Sequence, residues 1–197
     1  SISFVNKPFP PYFLKSVLLI LSPLDFKNIF SIFINPALFN SVITNSVCFL
    51  ALTTRLIFKT EFPFLLLLVS GGHSNFYFIE GINQYYLLGG TLDDALGEAF
   101  DKVANILGLD FPGGPHLEKL AENGDFNYIK LPKPLINNKN LNLSFSGLKS
   151  AVLKSTKDSL YNDKYLPSDI AASFQKSVSD ILCKKIILAI EISQKKY

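Results

Sequence analysis

The chain has 197 residues, of which 48% are hydrophobic and 18% are charged, and this composition excludes an intrinsically disordered protein. Its net charge of +3 is uneven: residues 1–60 carry five basic side chains and one acidic side chain, so the remainder sums to −1, which excludes a nucleic-acid-binding surface spread over the whole chain. Two cysteines, Cys48 and Cys183, exclude a disulfide scaffold and a cysteine-rich zinc site, and they indicate a reducing compartment.

The first 60 residues show no clear periodicity. The chain begins at Ser1 and contains no methionine, so we expect it to be a fragment of a longer protein. Residues 28–54 lack charged side chains and are long enough to span a bilayer, but Pro36 and several asparagines interrupt them. A membrane tether is therefore one open hypothesis, and the asparagines count against it.

A glycine-containing turn follows the first legible strand. The apolar run Phe64–Val69 and residues 75–80 predict paired strands joined by Ser70, Gly71 and Gly72, and residues 85–88 predict a third strand. Glycines can adopt positive φ and let a ligand reach the backbone amides, and successive amides can bind a phosphate or a carboxylate. The other interpretation is an ordinary hairpin turn, and these residues alone leave both open.

The next segment, "TLDDALGEAFDKVANILGLDFPGGP", predicts the clearest helix of the chain. Apolar side chains recur every three or four residues, Thr91 and Asp94 resemble a capping box, and Gly108 suits the position just after the helix. Polar side chains occupy the opposite stripe: Asp94, Glu98, Asp101 and Asn105. This stripe is either a solvated face or a surface from which one carboxylate binds a hydroxyl or an amine.

A second glycine pair, Gly113-Gly114, precedes a predicted short helix over residues 117–121. Such a pair could expose amides at a helix N-terminus, where anions bind, or could belong to an ordinary loop. His73 and His116 lack a helical partner four residues away, so we interpret both as structural. Lys149 could contact a phosphate, but a lone lysine is usually just exposed.

The C-terminal third predicts one strand and two helices. After a loop at residues 131–142, "LNLSFSGLK" alternates apolar and polar side chains and predicts a half-buried strand, followed by a helix to about residue 157. Ser168 is predicted to cap the last helix. The apolar face of that helix is formed by Ile170, Phe174, Val178, Ile181 and Leu182.

Five motifs occur together in this order: "LLVSGGH", "DDALGEAFDKVANILGL", "FPGGP", "LSFSGLK" and "DIAASFQ". In this combination the chain resembles the TsaD family, the tRNA N6-threonylcarbamoyladenosine synthases, over about residues 51–197. The bacterial and organellar branch is the closer match because "SFSGLK" is typical of it.

The resemblance implies an α/β fold of the actin-like ATPase type, with mixed sheets and flanking helices. Residues 51–197 would form the central part of this fold, truncated at the C-terminus, whereas residues 1–50 stay unassigned and may be non-homologous. The implied reaction transfers a threonylcarbamoyl group from threonylcarbamoyl-AMP to the N6 amine of the adenosine next to the anticodon. The implied location is the cytoplasm, or a mitochondrion in a eukaryote, and the resemblance implies no membrane partner.

Carried over by resemblance, the substrate contacts are Leu68, Val69, Ser70, Gly71, Gly72, Asp101 and Gly114. No catalytic residue is identified. The implied partners are tRNA, threonylcarbamoyl-AMP and proteins similar to TsaB and TsaE.

The chain departs from the family at the metal site. The resemblance implies one divalent ion, iron or zinc, bound by two histidines four residues apart, but these positions fall on Ser46 and Leu50, neither of which is a competent ligand. The third family ligand would follow Tyr197. We therefore expect the parent activity to be that of an acyltransferase and the isolated fragment to be inactive. The alternative is a catalytically inactive relative that serves as a binding or assembly protein.

Overall fold

Residues 17–21, 29–33, 62–162 and 165–196 are the part of the chain that this computed structural model describes. Five strands form one sheet in the order β2-β1-β3-β4-β5: β1 Val17–Leu21, β2 Ile29–Phe33, β3 Phe64–Val69, β4 Ser74–Gly81 and β5 Gln84–Gly90. Four helices follow: α1 Leu96–Ile106, α2 Gly113–Ala121, α3 Ser146–Asn162 and α4 Pro167–Lys196. The architecture is therefore α/β, as predicted.

The sheet is antiparallel in every strand pair that the structure describes. The only parallel pairing in these residues is an isolated bridge between Thr91 and Leu143. The mixed sheet predicted by resemblance is therefore not seen in this part of the chain.

Most of the uncharged segment 28–54 lies outside the described residues. Ser46 and Leu50, the positions of the family's metal ligands, also lie outside them. None of the described helices combines the length and the apolar character that crossing a membrane requires.

The predicted hairpin is confirmed. All six residues of β3 are buried, because β3 has a neighbouring strand on each side and faces helices. Strand β4 alternates, with Phe76 and Phe78 buried and Tyr77 partly exposed. Val69 pairs with Ser74, so the turn between the strands consists of residues 70–73.

Helix α1 is confirmed, but its predicted start is wrong. It begins at Leu96, and Thr91 donates its hydroxyl to the carbonyl oxygen of Asp94 at 2.6 Å without capping the helix. The amide of Leu96 donates instead to Ser74 Oγ of β4 at 2.8 Å. A long-range hydrogen bond therefore replaces the local capping box. Gly108, with φ of +74°, ends the helix as predicted.

The predicted strand in "LNLSFSGLK" is wrong, although its alternation is correct. Leu141, Leu143 and Phe145 are buried, but Leu143 forms only a bridge, in which its amide donates to the carbonyl oxygen of Gly90 at 2.9 Å. Alternating burial arises here because an extended segment lies on the core without a strand partner along its length.

The last helix, α4, has 30 residues and begins at Pro167, so Ser168 lies in the first turn and is not the cap. Its predicted apolar face is confirmed, since all five side chains are buried. Phe174 meets Phe100 of α1 edge to face, with ring centroids 4.9 Å apart. This contact joins α4 to the helix that follows the sheet.

Residues 125–140, which we call the strap, run alongside α4. Four contacts join the strap to successive positions of α4: Asp125 to Asp169, Ile129 to Ser173, Lys133 to Asp180, and Asn140 to Lys185. The buried ammonium of Lys185 donates to the carbonyl oxygens of Asn138 at 3.0 Å and Asn140 at 2.7 Å, and burial lowers the pKa of Lys185. Lys185 therefore fixes the end of the strap.

Methionine at position 185 keeps the length and the unbranched shape of the lysine side chain. It removes the ammonium group and therefore both hydrogen bonds to the strap. We expect Lys185→Met to lower the free energy of unfolding by about 1–3 kcal/mol, because two carbonyl oxygens lose a charged donor. Hydrogen exchange should accelerate in residues 131–142. The matched control is Lys184→Met at the exposed neighbour, which should change stability by less than about 0.5 kcal/mol. Equal effects at both positions would contradict this role.

Candidate functional site

The turn between β3 and β4 is closed by Ser70. Its amide donates to the carbonyl oxygen of His73 at 2.8 Å, and its hydroxyl oxygen accepts from the amides of Gly72 at 3.3 Å and His73 at 3.0 Å. Gly71, Gly72 and His73 are exposed. Leu68 and Val69, which are also predicted substrate residues, are buried at the end of β3. Their side chains therefore hold the strand from which the turn begins.

Nothing inside the described protein requires glycine at Gly71 or Gly72. No atom lies within 4 Å of the position that a Cβ would take at either residue, and neither has a positive φ. The interpretation that these glycines provide positive φ is therefore wrong. What remains is an exposed backbone without side chains, which a ligand could approach closely.

The N-terminus of α1 lies directly against this turn. A Cβ on Gly97 would fall 2.8 Å from Gly71 Cα and 2.8 Å from the carbonyl oxygen of Ser70. The amide of Gly97 donates to that same oxygen at 3.2 Å. Gly97 therefore permits a contact that any larger residue would prevent. The partial positive charge of the helix N-terminus also reaches the turn, which favours an anion there.

Asp101 lies one helical turn after Gly97, on the same side of α1. Its Oδ1 accepts a hydrogen bond from the amide of Gly113 at 2.8 Å. A Cβ on Gly113 would fall 2.5 Å from the Cβ of Ala104, so this glycine permits close packing of α2 on α1. Gly114 is buried beside it. Of the two interpretations of this glycine pair, that of exposed amides does not hold for Gly113, whose amide is already bound, and that of an ordinary loop does not hold either, because the pair begins α2.

A hollow of about 270 Å³ lies around Asp101. Charged side chains in its lining are Glu98, Asp101, Lys102 and Asp110. Oδ2 of Asp101 has no hydrogen-bond partner among the described residues, whereas Oδ1 is bound to Gly113. Asp101 is thus the one predicted substrate residue that lines the hollow, and it leaves one carboxylate oxygen available; the turn meets the start of α1 one helical turn earlier, and Gly114 follows Gly113.

Asp93 is a structural residue that the sequence analysis missed. It accepts hydrogen bonds from the hydroxyls of Ser144 at 2.5 Å and Ser146 at 2.7 Å, and from the amide of Phe145 at 2.8 Å. Burial alone would raise the pKa of Asp93, but these hydrogen bonds outweigh it and lower the pKa. The carboxylate therefore caps α3 from a distance. Ser144 and Ser146, at the start of α3, are the sequence feature from which this contact could be predicted.

Asp94 binds two lysines and is not part of the α1 stripe, because it lies before the helix. Its Oδ1 is 2.6 Å from Lys102 Nζ and its Oδ2 is 3.3 Å from Lys149 Nζ. The hydrogen bond from Lys102, followed by that from Lys149, lowers the pKa of Asp94. Lys149 is therefore ion-paired, and Glu98 shares Lys102 at 2.7 Å.

Neither histidine belongs to a metal cluster within the described residues. His73 Nδ1 is 3.3 Å from Ser70 Oγ, in agreement with a structural role, whereas His116 is exposed on α2 and has no side-chain hydrogen bond among the described residues, so its structural interpretation is not supported. The described part of the chain contains no group of three His, Cys, Asp or Glu side chains that could hold a metal ion.

Known proteins resemble this chain over most of its length. The family model TsaD, described as tRNA N6-adenosine threonylcarbamoyltransferase, matches residues 40–197. A Pelagibacter ubique protein is 50% identical over 142 residues, covering 72% of this chain and 39% of the relative. A Bartonella bacilliformis protein is 52% identical over 147 residues, which cover 75% of this chain and 40% of that relative. Both are named tRNA N6-adenosine threonylcarbamoyltransferase, and the chain spans about two fifths of the length of these relatives.

Removing the Asp93 carboxylate should destabilise the protein in a pH-dependent way. We expect Asp93→Ala to cost about 0.5–2 kcal/mol at neutral pH, as for the loss of a helix cap. Because folding lowers this pKa, the contribution is present above the ordinary value of 3.8 and is lost as the pH falls through the lower folded value. The two unfolding free energies should therefore converge in acid.

Urea unfolding at several pH values between 2 and 7 measures this effect. Asp110→Ala is the control, since Asp110 is exposed and binds no other side chain in the described structure. A constant difference between wild type and Asp93→Ala at all pH values would contradict the capping role.

Proposed function

This chain belongs to the TsaD family, and on that premise we propose that it serves in tRNA N6-threonylcarbamoyladenosine synthesis. In this reaction the N6 amine of the adenosine beside the anticodon forms a bond with the carbonyl carbon of threonylcarbamoyl-AMP. The bond from that carbon to the phosphate oxygen breaks, AMP leaves, and the nitrogen loses one proton to solvent. The observation that carries the proposal is the bare turn at Gly71 and Gly72, held against the N-terminus of α1 by Gly97.

The adenylate's phosphate would lie against this turn. The exposed glycine backbone lets an anion approach closely, although the amide of Gly72 already donates to Ser70 Oγ, and the helix N-terminus adds favourable potential for an anion. Leu68 and Val69 hold the turn in place through β3. Asp101 would use its unoccupied Oδ2 to accept a hydrogen bond from a hydroxyl or an amine of the ligand. Gly114, buried at the start of α2, would leave room beside it.

The whole-protein assignments extend this proposal. We assign residues 51–197 to the central part of an actin-like ATPase fold, with tRNA, threonylcarbamoyl-AMP and proteins similar to TsaB and TsaE as partners. The family's divalent metal does not fit the residues at hand, because serine and leucine stand at the two histidine positions, Ser46 and Leu50. No step is therefore derived through a metal, and the isolated chain should show little or no turnover.

The activity is tested by adding threonylcarbamoyl-AMP and an unmodified tRNA transcript to the purified chain. The same assay is run on a chimera in which residues 62–196 replace the matching segment of the Pelagibacter ubique relative. The modified nucleoside is measured by mass spectrometry after digestion of the tRNA. We expect product from the chimera and none from the chain alone. An inactive but folded and ligand-binding chimera would favour the alternative, a binding or assembly protein.

Asp101→Asn tests the ligand contact. Asparagine keeps an oxygen acceptor for the Gly113 amide but removes the charge. Loss of a charge-assisted hydrogen bond should weaken adenylate binding by roughly 1.5–3 kcal/mol, or about ten- to a hundredfold in Kd. Binding is measured by calorimetry in the chimera, alongside its melting temperature.

Glu122→Gln is the matched control, an exposed carboxylate just after α2, and it should leave affinity unchanged. Asp94→Asn is less suitable, because it would break two ion pairs. If Asp101→Asn lowers the melting temperature without changing Kd, Asp101 only supports α2 and the ligand assignment fails.

A further inference from the structure

The charge of the chain changes sign along its length. Residues 61–124, which contain the turn, α1 and α2, carry two lysines and nine acidic side chains, a net charge of −7. Residues 125–197 carry twelve lysines and six acidic side chains, a net charge of +6. A polyanion is repelled by the first part and attracted by the second. The near-neutral sum of these two segments conceals this separation.

The strap carries part of that positive charge alongside α4. It follows α4 from Asp169 to Lys185 and therefore covers about 24 Å, at 1.5 Å per helical residue. Within it, Ile129 and Leu131 are buried while Tyr128, Lys130 and Pro132 are exposed. Tyr128 and Lys130 are therefore both accessible to solvent, two residues apart in sequence.

The positive charges of the strap are only partly neutralised. Lys130 and Lys139 are exposed and have no acidic partner among the described residues. Lys133 of the strap and Lys176 of α4 share a single carboxylate, that of Asp180, so this group keeps a net positive charge. Such lysines interact best with closely spaced negative charges, as along a phosphate backbone.

Aromatic side chains accompany these lysines. Tyr128 is 57% exposed and meets Tyr165 edge to face, with ring centroids 5.9 Å apart, and Phe126 is 46% exposed. Exposed rings beside lysines are typical of surfaces that bind RNA, because unpaired bases stack on the rings while the lysines contact phosphates. An acidic protein partner would account for the lysines but gives no reason for the rings.

We propose that the strap is a tRNA-binding surface, on which Lys130 and Lys139 contact backbone phosphates and Tyr128 stacks on an unpaired base. The proposal rests on the proposed function for the identity of the RNA. It adds the surface that binds the tRNA, which is distinct from the turn and hollow assigned to the adenylate. The acidic part of the chain would then bind the small ligand and the basic part the nucleic acid.

Binding of an unmodified tRNA transcript to the full chain tests this surface, measured by fluorescence anisotropy over a series of salt concentrations. Lys130→Ala and Lys139→Ala should each weaken binding, and each should reduce the slope of log K against log salt by roughly 0.7–0.9, as for one lost phosphate contact. Tyr128→Ala should weaken binding without changing the slope. Circular dichroism spectra establish that each variant is folded.

Lys119→Ala is the matched control, because Lys119 is an exposed lysine on α2 in the acidic part of the chain. It should leave both affinity and slope unchanged. Equal effects of Lys119→Ala and Lys130→Ala would overturn the proposal, as would a wild-type chain that does not bind the transcript. Competition by poly-glutamate as effective as competition by tRNA would also overturn it, in favour of an acidic protein partner.

The two proposals fail in different ways. Asp101→Asn should leave tRNA affinity unchanged, whereas the strap variants should leave adenylate affinity unchanged in the chimera. If the chimera forms no modified nucleoside but the strap variants lose tRNA binding, the tRNA-binding surface is supported and the proposed reaction is not. If it modifies tRNA and the strap variants bind normally, the reaction stands and the surface does not.

Discussion

The close approach of α1 to the turn after β3 is the contact on which the site depends. Two hydrogen bonds fix it: Leu96 donates its amide to Ser74, and Gly97 donates its amide to the carbonyl oxygen of Ser70. The absence of a side chain at Gly97 permits it. Once α1 is placed, Asp101 follows one turn later, and its hydrogen bond to Gly113 places α2. A single short contact thereby determines the positions of the turn, the carboxylate and the second glycine pair.

Adjacent acidic residues extend this framework to α3. Asp93 caps that helix through Ser144, Phe145 and Ser146, while Asp94 binds Lys149. Two segments that are about 50 residues apart in sequence are joined in this way. Because these groups are charged and their pKa values are lowered, the connection is strongest where both carboxylates are ionised. The motifs that identified the family are therefore also the parts that hold one another in place.

Local patterns predicted the elements but not their connections. The hairpin, the apolar faces of α1 and α4, and the end of α1 at Gly108 could be predicted because each follows from spacing or from a single backbone preference. The start of α1 could not, because Ser74, 22 residues away, supplies the hydrogen bond that a local cap would otherwise provide. The alternation in "LNLSFSGLK" predicts a strand, but alternation follows from burial of one side of an extended segment and does not require hydrogen bonds to a neighbouring strand. For the site, resemblance indicates the turn and Asp101, whereas the need for small residues at Gly97 and Gly113 follows from helix contacts that the sequence does not show.

The open space around Gly71 and Gly72 separates folding from function at this turn. Their neighbours in the protein would accept a methyl group, so an alanine at either position is compatible with the described fold. Among the described residues, no atom would lie within 4 Å of the added methyl group. A survey of variants that scores abundance or melting temperature alone would therefore class both glycines as tolerant. If the proposed ligand lies against this turn, the two glycines serve its close approach, because the described fold itself does not require them.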